Sequence, residues 1–318
     1  MRNIFVFEYL TGGGADGLDQ AVREACLPQG LAMRDALVAD LLQSGGFGVS
    51  AAVCAHAPAV LSGARAVQMR AGEDIACFVA RQAAEHDATW VVAPETGGVL
   101  ARMHQAVGAA RWLGCSAAAI RLCASKRATL QWLAARGIAT PLAFLNAGDV
   151  EHWVVKPDDG CGAVDTRRHA DRARAEADAE ARRACGADAV IEPWVEGEPM
   201  SLSLRCAGGE VELLSVNRQR ITVAAAGCVS LEGVEITALT LHDPRSAALR
   251  ALASAVASAV TGLEGFVGID LVWHPRHGPV VIEINPRVTS AYVGLSRALG
   301  RNLATELIAA HEAIHATA

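Results

Sequence analysis

A chain of 318 residues is long enough for two or three packed units, and with 52% apolar and 19% charged residues it can bury a large core. A net charge of −6 with few tyrosines and phenylalanines excludes a basic, base-stacking surface as its main activity. The nine scattered cysteines form no CxxC pair, which excludes a zinc ribbon or thioredoxin-type motif; they are expected to be mostly small core residues in a reducing cytoplasm.

Residues 4–10 read as a strand that ends in the glycine turn Gly12-Gly13-Gly14. A helix follows over 20–42, a strand over 48–55, a helix over 73–86, a strand over 89–93 and a helix over 99–113. Strands alternating with helices imply a parallel sheet in α/β layers. Residues 41–64 lack Asp, Glu, Lys and Arg, but Gly45, Gly46, Gly48 and Pro58 interrupt the run, so no membrane helix is expected. Beyond Ser125-Lys126-Arg127 a helix is predicted to end near Gly137 and Pro141. Residues 153–156 form a strand that runs into Pro157-Asp158-Asp159-Gly160-Cys161-Gly162, 168–185 a solvent-facing helix, and 189–195 a strand. Residues 201–206 and 210–216 read as antiparallel strands, 247–260 and 297–316 as helices.

Of the 28 basic residues, all but Lys126 and Lys156 are arginine. A lysine that survives such a bias fits a place needing a compact ammonium on a flexible stem; chance accounts for the count equally well. Lys156 ends a strand ahead of the small loop 160–162, whose backbone N–H groups can approach phosphates.

Around the turn 274–279, pairing Trp273 with Val280 sets Asp270 opposite Glu283 and Gly268 opposite Asn285. Opposed side chains share one face about 5 Å apart. Two carboxylates and an amide oxygen among Val, Ile and Leu suit a hard cation such as Mg²⁺. A surface hairpin with its polar face in water fits the same pattern. Arg287, just past Pro286, would place a guanidinium beside that face.

Taken in order, Lys126 before a helix ending in GIATP, Lys156 with its glycine loop, the IEPWVEGE segment and the GIDLVW…VVIEINPR hairpin resemble the ATP-grasp superfamily. The resemblance implies an α/β protein of the ATP-grasp fold. An N-terminal pre-ATP-grasp domain would cover residues 1–120, a small α+β lid 121–195 and a C-terminal antiparallel-sheet catalytic domain 196–318. It implies ATP and Mg²⁺, with Mn²⁺ as a substitute. Lys126 and Lys156 would contact the phosphates, with Gly160, Cys161 and Gly162 closing over them. Glu192, Trp194 and Val195 would form the hinge beside adenine, and Glu198 would hold the ribose hydroxyls. Asp270, Glu283 and Asn285 would hold the metal, and Arg287 would assist transfer together with Lys156 and Arg220. Arg218 and Arg220 are candidates for the γ-phosphate or an acidic substrate, or else solvated strand charges.

The implied reaction joins an amino-acid carboxylate to an amine through an acyl phosphate, with release of ADP and phosphate. The segments FEYLTGGG, APETGG, LLSVNRQRI and EINPRVTSAYVGL resemble members that couple L-glutamate to tyramine or a related amine in methanofuran-type cofactor synthesis. A phosphotransferase on the same site and a different amino-acid ligase are the alternatives. A cytoplasmic homodimer acting on small molecules is expected, with no nucleic-acid or membrane partner. Ser125 stands where many members have Asp. Glu8, Tyr9 and Glu95, at strand ends, and Thr289, Ser290 and Tyr292, after the hairpin, are candidates for substrate contact or for capping and packing.

Overall fold

The structure is a computed structural model that describes residues 1–145, 150–240 and 242–315. Strand β1 (Arg2–Glu8) alternates two apolar faces: Ile4 and Val6 pack with Leu37 and Leu41 of helix α1 (Gln20–Gln43), Phe5 and Phe7 with Phe78 and Leu100 on the other side. Both faces of this sheet are therefore covered, as a parallel sheet requires. Its order is β3-β2-β1-β4-β5, with β2 Phe47–Val53, β3 Arg65–Gln68, β4 Ala88–Val92 and β5 Trp112–Leu113. Phe78 lies on α2 (Ile75–Glu85) and Leu100 on α3 (Val99–Val107). The helix expected over 99–113 stops at Val107, because Gly108 turns left-handed at φ 75°, and Trp112 then pairs with Thr89 as an edge strand. The mostly exposed edge strand β3 was not foreseen either, since it carries no buried apolar face to read.

Two short helices, α4 (Ala117–Cys123) and α5 (Lys126–Ala134), lead to a three-stranded antiparallel sheet, order β7-β6-β8. It comprises β6 Trp153–Pro157, β7 Arg167–His169 and β8 Ala189–Pro193. Helix α6 (Arg172–Ala184) covers one face through Ala175 and Ala179 against Trp153 and Val155 and leaves its charged side in water.

The remaining strands form an antiparallel sheet, β11-β10-β9-β12-β13, from β9 Glu198–Ala207, β10 Glu210–Val223, β11 Val229–Leu239, β12 Gly265–His274 and β13 Gly278–Asn285. Helix α7 (Ser246–Ala259) buries Leu249 and Val256 in a core shared with Leu202, Leu204, Val267 and Ile269. The expected closing helix is two helices, α8 (Leu295–Leu299) and α9 (Leu303–His315), split at Gly300 with φ 65°. Its last predicted residue, 316, lies outside the described residues. The cysteines divide more evenly than expected: Cys54, Cys115, Cys123 and Cys206 are buried, whereas Cys77, Cys185 and Cys228 are exposed. Among the described residues no helix is long and apolar enough to cross a membrane.

Candidate active site

The β12–β13 hairpin opposes Asp270 to Glu283 and Gly268 to Asn285. The route to that register differs from simple extrapolation. Trp273 pairs with Pro279, not Val280, and a bulge between Leu271 and Asp270 takes up Ile282 as the extra residue. The bulge turns Ile282 and Glu283 toward the same cavity, although strict alternation would set them on opposite faces. Gly268 has to be small, since a Cβ there would stand 2.8 Å from Thr289.

That cavity, about 200 Å³, lies between the lid sheet and the face of the larger sheet. Lys126, Lys156, Glu192, Asp270 and Glu283 all line it. Burial, and next the facing Glu283, push the Asp270 carboxyl up to about 7, against hydrogen bonds from Asn285 and Gln219. Those bonds are Asn285 Nδ2 to Asp270 Oδ2 at 3.2 Å and Gln219 Nε2 to Asp270 Oδ1 at 2.9 Å. Lys126 Nζ stands 3.2 Å from Glu283 Oε1 and also donates to the Gly160 carbonyl. Burial pulls its ammonium down, but Glu283, with Glu95 and Cys161 behind it, outweighs this and the net shift is upward.

Lys156 and Glu192 are diagonal neighbours across the β6–β8 pair and meet at 2.8 Å, Nζ to Oε2. Glu192 is 3% exposed, and its other oxygen, Oε1, has no hydrogen-bond partner. Trp194, Val195, Glu196 and Gly197 continue along the same wall.

The loop after β6 is anchored by two consecutive aspartates. Asp158 accepts from the Arg127 amide at 2.8 Å and the Ser125 hydroxyl at 2.7 Å, while its carbonyl takes the Lys126 amide. Ser125 at the same time caps α5 through the Ala128 amide, so its hydroxyl serves both the helix and the loop that faces it. Asp159 reaches the turn after β4: the Thr96 hydroxyl donates to its carbonyl at 2.9 Å and the Gly97 amide to its Oδ2 at 2.7 Å. Glu95 in the same turn grips Arg287 bidentately, at 2.9 and 2.8 Å. Burial works against the Arg287 charge, yet Glu95 raises its affinity for the proton overall. Cys161 sits near this pair, and burial pushes its thiol up.

Not every residue singled out from the sequence reaches the cavity. Arg218 and Arg220 project from the face of β10 opposite Gln219 and Ile221, which line it. Arg220 is exposed and lies against Gly233; Arg218 pairs with Glu198 and Glu235. Glu198 does not line the cavity either, because Arg218 and Arg245 occupy its two oxygens at 2.8 and 2.6 Å. Asn285 adjoins the cavity through Asp270, and Arg287, though not part of its wall, is near enough for its charge to act on Asp270 and Glu283. Tyr292 is core: it is 1% exposed, donates to Asp40 Oδ2 at 2.6 Å and packs edge-on to Phe266. Glu8 is buried and accepts from the amides of Leu10 and Thr11, and the Tyr9 ring packs on Gly14. Gln219 and Asp159 went unrecognised in the sequence. Alternation in NRQR signals Gln219 once the two arginines are assigned to the outer face; nothing local distinguishes Asp159 from its neighbour.

A small antiparallel sheet closes over the carboxylate-bearing face of a larger one, behind a doubly wound parallel unit; this is the ATP-grasp fold. The chain belongs to the ATP-grasp family: its ATP-grasp domain model matches residues 123–291, and the pre ATP-grasp 3 domain model matches residues 49–120. Over 212 residues the chain is 30% identical to tyramine–L-glutamate ligase of Methanocaldococcus jannaschii, a match that takes in 66% of this chain and 58% of that protein. The chain thus spans less than two thirds of that relative's length. The solved structure of an ATP-grasp superfamily protein from Archaeoglobus fulgidus superposes with a TM-score of 0.72 at 22% identity, covering 98% of this chain and 89% of the other. D-alanine–D-alanine ligase of Bacillus anthracis, solved with ATP, gives a TM-score of 0.64 at 15% identity, covering 98% and 97%.

Proposed function

We propose that the chain is an ATP-dependent carboxylate–amine ligase, ADP-forming, that joins the carboxylate of an amino acid, L-glutamate foremost, to tyramine or a related amine. The observation that carries this reading is the meeting of both lysines and both carboxylates of the sequence pattern in one cavity. The donor chemistry fits the two groups the family uses. The unpartnered, buried Glu192 Oε1 asks for a hydrogen-bond donor, such as the exocyclic amine of adenine. Asp270 and Glu283 face each other in the cavity, and burial pushes the Asp270 carboxyl up; such a pair asks for a hard cation.

In this reading Lys126 and Lys156 hold nucleotide phosphates, Glu192 with the wall 194–197 holds the base, and Asp270, Glu283 and Asn285 hold Mg²⁺, with Mn²⁺ as a possible substitute. Bound Mg²⁺ neutralises phosphate charge in phosphoryl transfer. Arg287, fixed by Glu95, presents its remaining N–H groups to the transferred phosphoryl group, and the loop 158–162 excludes water from the activated carboxylate. The substrate pairing rests on the glutamate ligase relative.

The test is ADP release with MgATP and L-glutamate, with and without a panel of amines headed by tyramine and tyrosine, the products being identified by mass. Amine-dependent ADP with a γ-glutamyl amide is expected. Amine-independent ADP with a stable phosphorylated product would replace the ligase by a phosphotransferase.

A further inference from the structure

The turn Pro94–Gly98 lies between the two halves of the site and holds both. It follows β4, and β4 lies beside β1 where the strand order reverses direction, the place at which doubly wound sheets receive ligands beyond their carboxyl ends. Gly97 and Gly98 both turn left-handed, at φ 60° and 68°, which aims the Gly97 amide at the loop across the cleft. On one side the turn grips Arg287 through Glu95; on the other it takes Asp159 through Thr96 and Gly97. These are contacts across 192 and about 62 residues of sequence, so neither is a local turn bond.

The loop that Asp159 tethers is not relaxed. Ala163 and Asp165 hold left-handed φ values of 61° and 53°, and for Ala163, whose methyl side chain offers no local hydrogen bond in return, this is an uncommon and costly conformation. Its root is fixed to α5 by Asp158, and its far end is fixed to the β10–β11 hairpin by Arg168 N to Gly227 O at 2.8 Å and Val229 N to Thr166 O at 2.9 Å. Asp159 joins the stretch between those anchors to the N-terminal unit.

We propose that Asp159 is a latch: through it the turn 94–98 holds the lid loop closed, and through Glu95 the same turn positions Arg287, so that one turn sets both together. Asp159 and Glu95 are positioning residues and touch no reacting atom. The latch itself is independent of substrate; its catalytic consequence rests on the ligase reading. Opening the latch lets water add to the acyl phosphate in place of the amine. Carboxylate and inorganic phosphate then form, and the net change is ATP plus water to ADP plus phosphate.

The first test needs no nucleotide. Cys161 lies two residues past the latch and is only partly exposed, whereas Cys77, Cys185 and Cys228 are exposed. In the free protein, Asp159→Ala is expected to speed alkylation of Cys161 by about fivefold or more, as local opening becomes easier, with the three exposed thiols unchanged. Asp159→Asn keeps an oxygen for the Gly97 amide and should restore most of the slow rate. Equal Cys161 rates in wild type and Asp159→Ala would overturn the latch. The second test is ADP formed per amide: close to one in wild type and several-fold higher in Asp159→Ala; a ratio still at one would overturn the shielding role. Glu95→Gln should lower kcat by about tenfold or more, with the KM for ATP within about twofold and Cys161 labelling unchanged. A matching rise in KM would overturn its role through Arg287. Should wild type form no ADP with any substrate, the ligase reading fails while the alkylation rates still decide the latch.

Discussion

In the parallel sheet of the N-terminal unit the central strands β1 and β4 are core, and the polar groups near the site stand beyond their carboxyl ends, as Glu95 does after β4. In the antiparallel sheet the polar groups stand on the strands: Asp270 and Gln219 are strand residues facing the cavity, and Glu283 is another. The first arrangement places chemistry by where loops end up; the second by the pleat. Damage to the second sheet's face should therefore remove chemistry directly, whereas damage beyond the first sheet's carboxyl ends should act through positioning.

Substitutions on the two sheets put that contrast to the test. Glu283→Gln removes one of two opposed carboxylates and the partner of Lys126, and turnover should fall at least ~100-fold with the fold intact by circular dichroism. Normal turnover in a folded variant would sink the metal assignment. Lys156→Arg replaces a compact ammonium, 5% exposed and 2.8 Å from Glu192, by a planar fork, and ATP affinity by calorimetry should weaken about tenfold or more. An unchanged affinity would mean that the rarity of lysine carries no meaning. Ser125→Ala loses a helix cap and a bond to Asp158, which should lower stability by about 1 kcal/mol in denaturant unfolding without removing any cavity group.

The smallest effect concerns Glu198. Burial raises its carboxyl, but Arg218 and Arg245 outweigh that and hold it below its ordinary 4.5. A depressed carboxylate stabilises the fold above its unfolded-state value and loses that contribution as pH falls through the folded value. Wild type should therefore exceed Glu198→Gln by no more than about 1 kcal/mol near neutral pH, less in high salt, and the two should converge well below pH 4.5. ATP affinity unchanged in the variant would agree with a carboxylate turned away from the cavity; a marked loss would restore it to the nucleotide.

Legibility followed the same division. The opposition of Asp270 to Glu283 is written in strand alternation about a short turn, and it survived a misplaced register at Trp273 because a bulge recovered the offset. The two lysines were marked by composition and by the elements they begin and end. Glu198 and the arginines of NRQR point away from the cavity, which their local pattern does not reveal, because it does not say which neighbour claims a charge; Arg245, far along the chain, takes Glu198.

Local sequence dictates the order of elements, parallel then antiparallel, and the opposition of Asp270 to Glu283, and it marks out Lys126 and Lys156. Periodicity and turn chemistry act over a few residues and can be read there. Long-range packing brings Glu95 to Arg287, Asp159 to Thr96 and Gly97, and Gln219 rather than Arg218 or Arg220 to Asp270. The first two pairings join different sheets and the third joins β10 to β12 across β9 within one sheet, so their geometry follows from packing and register rather than from neighbouring residues.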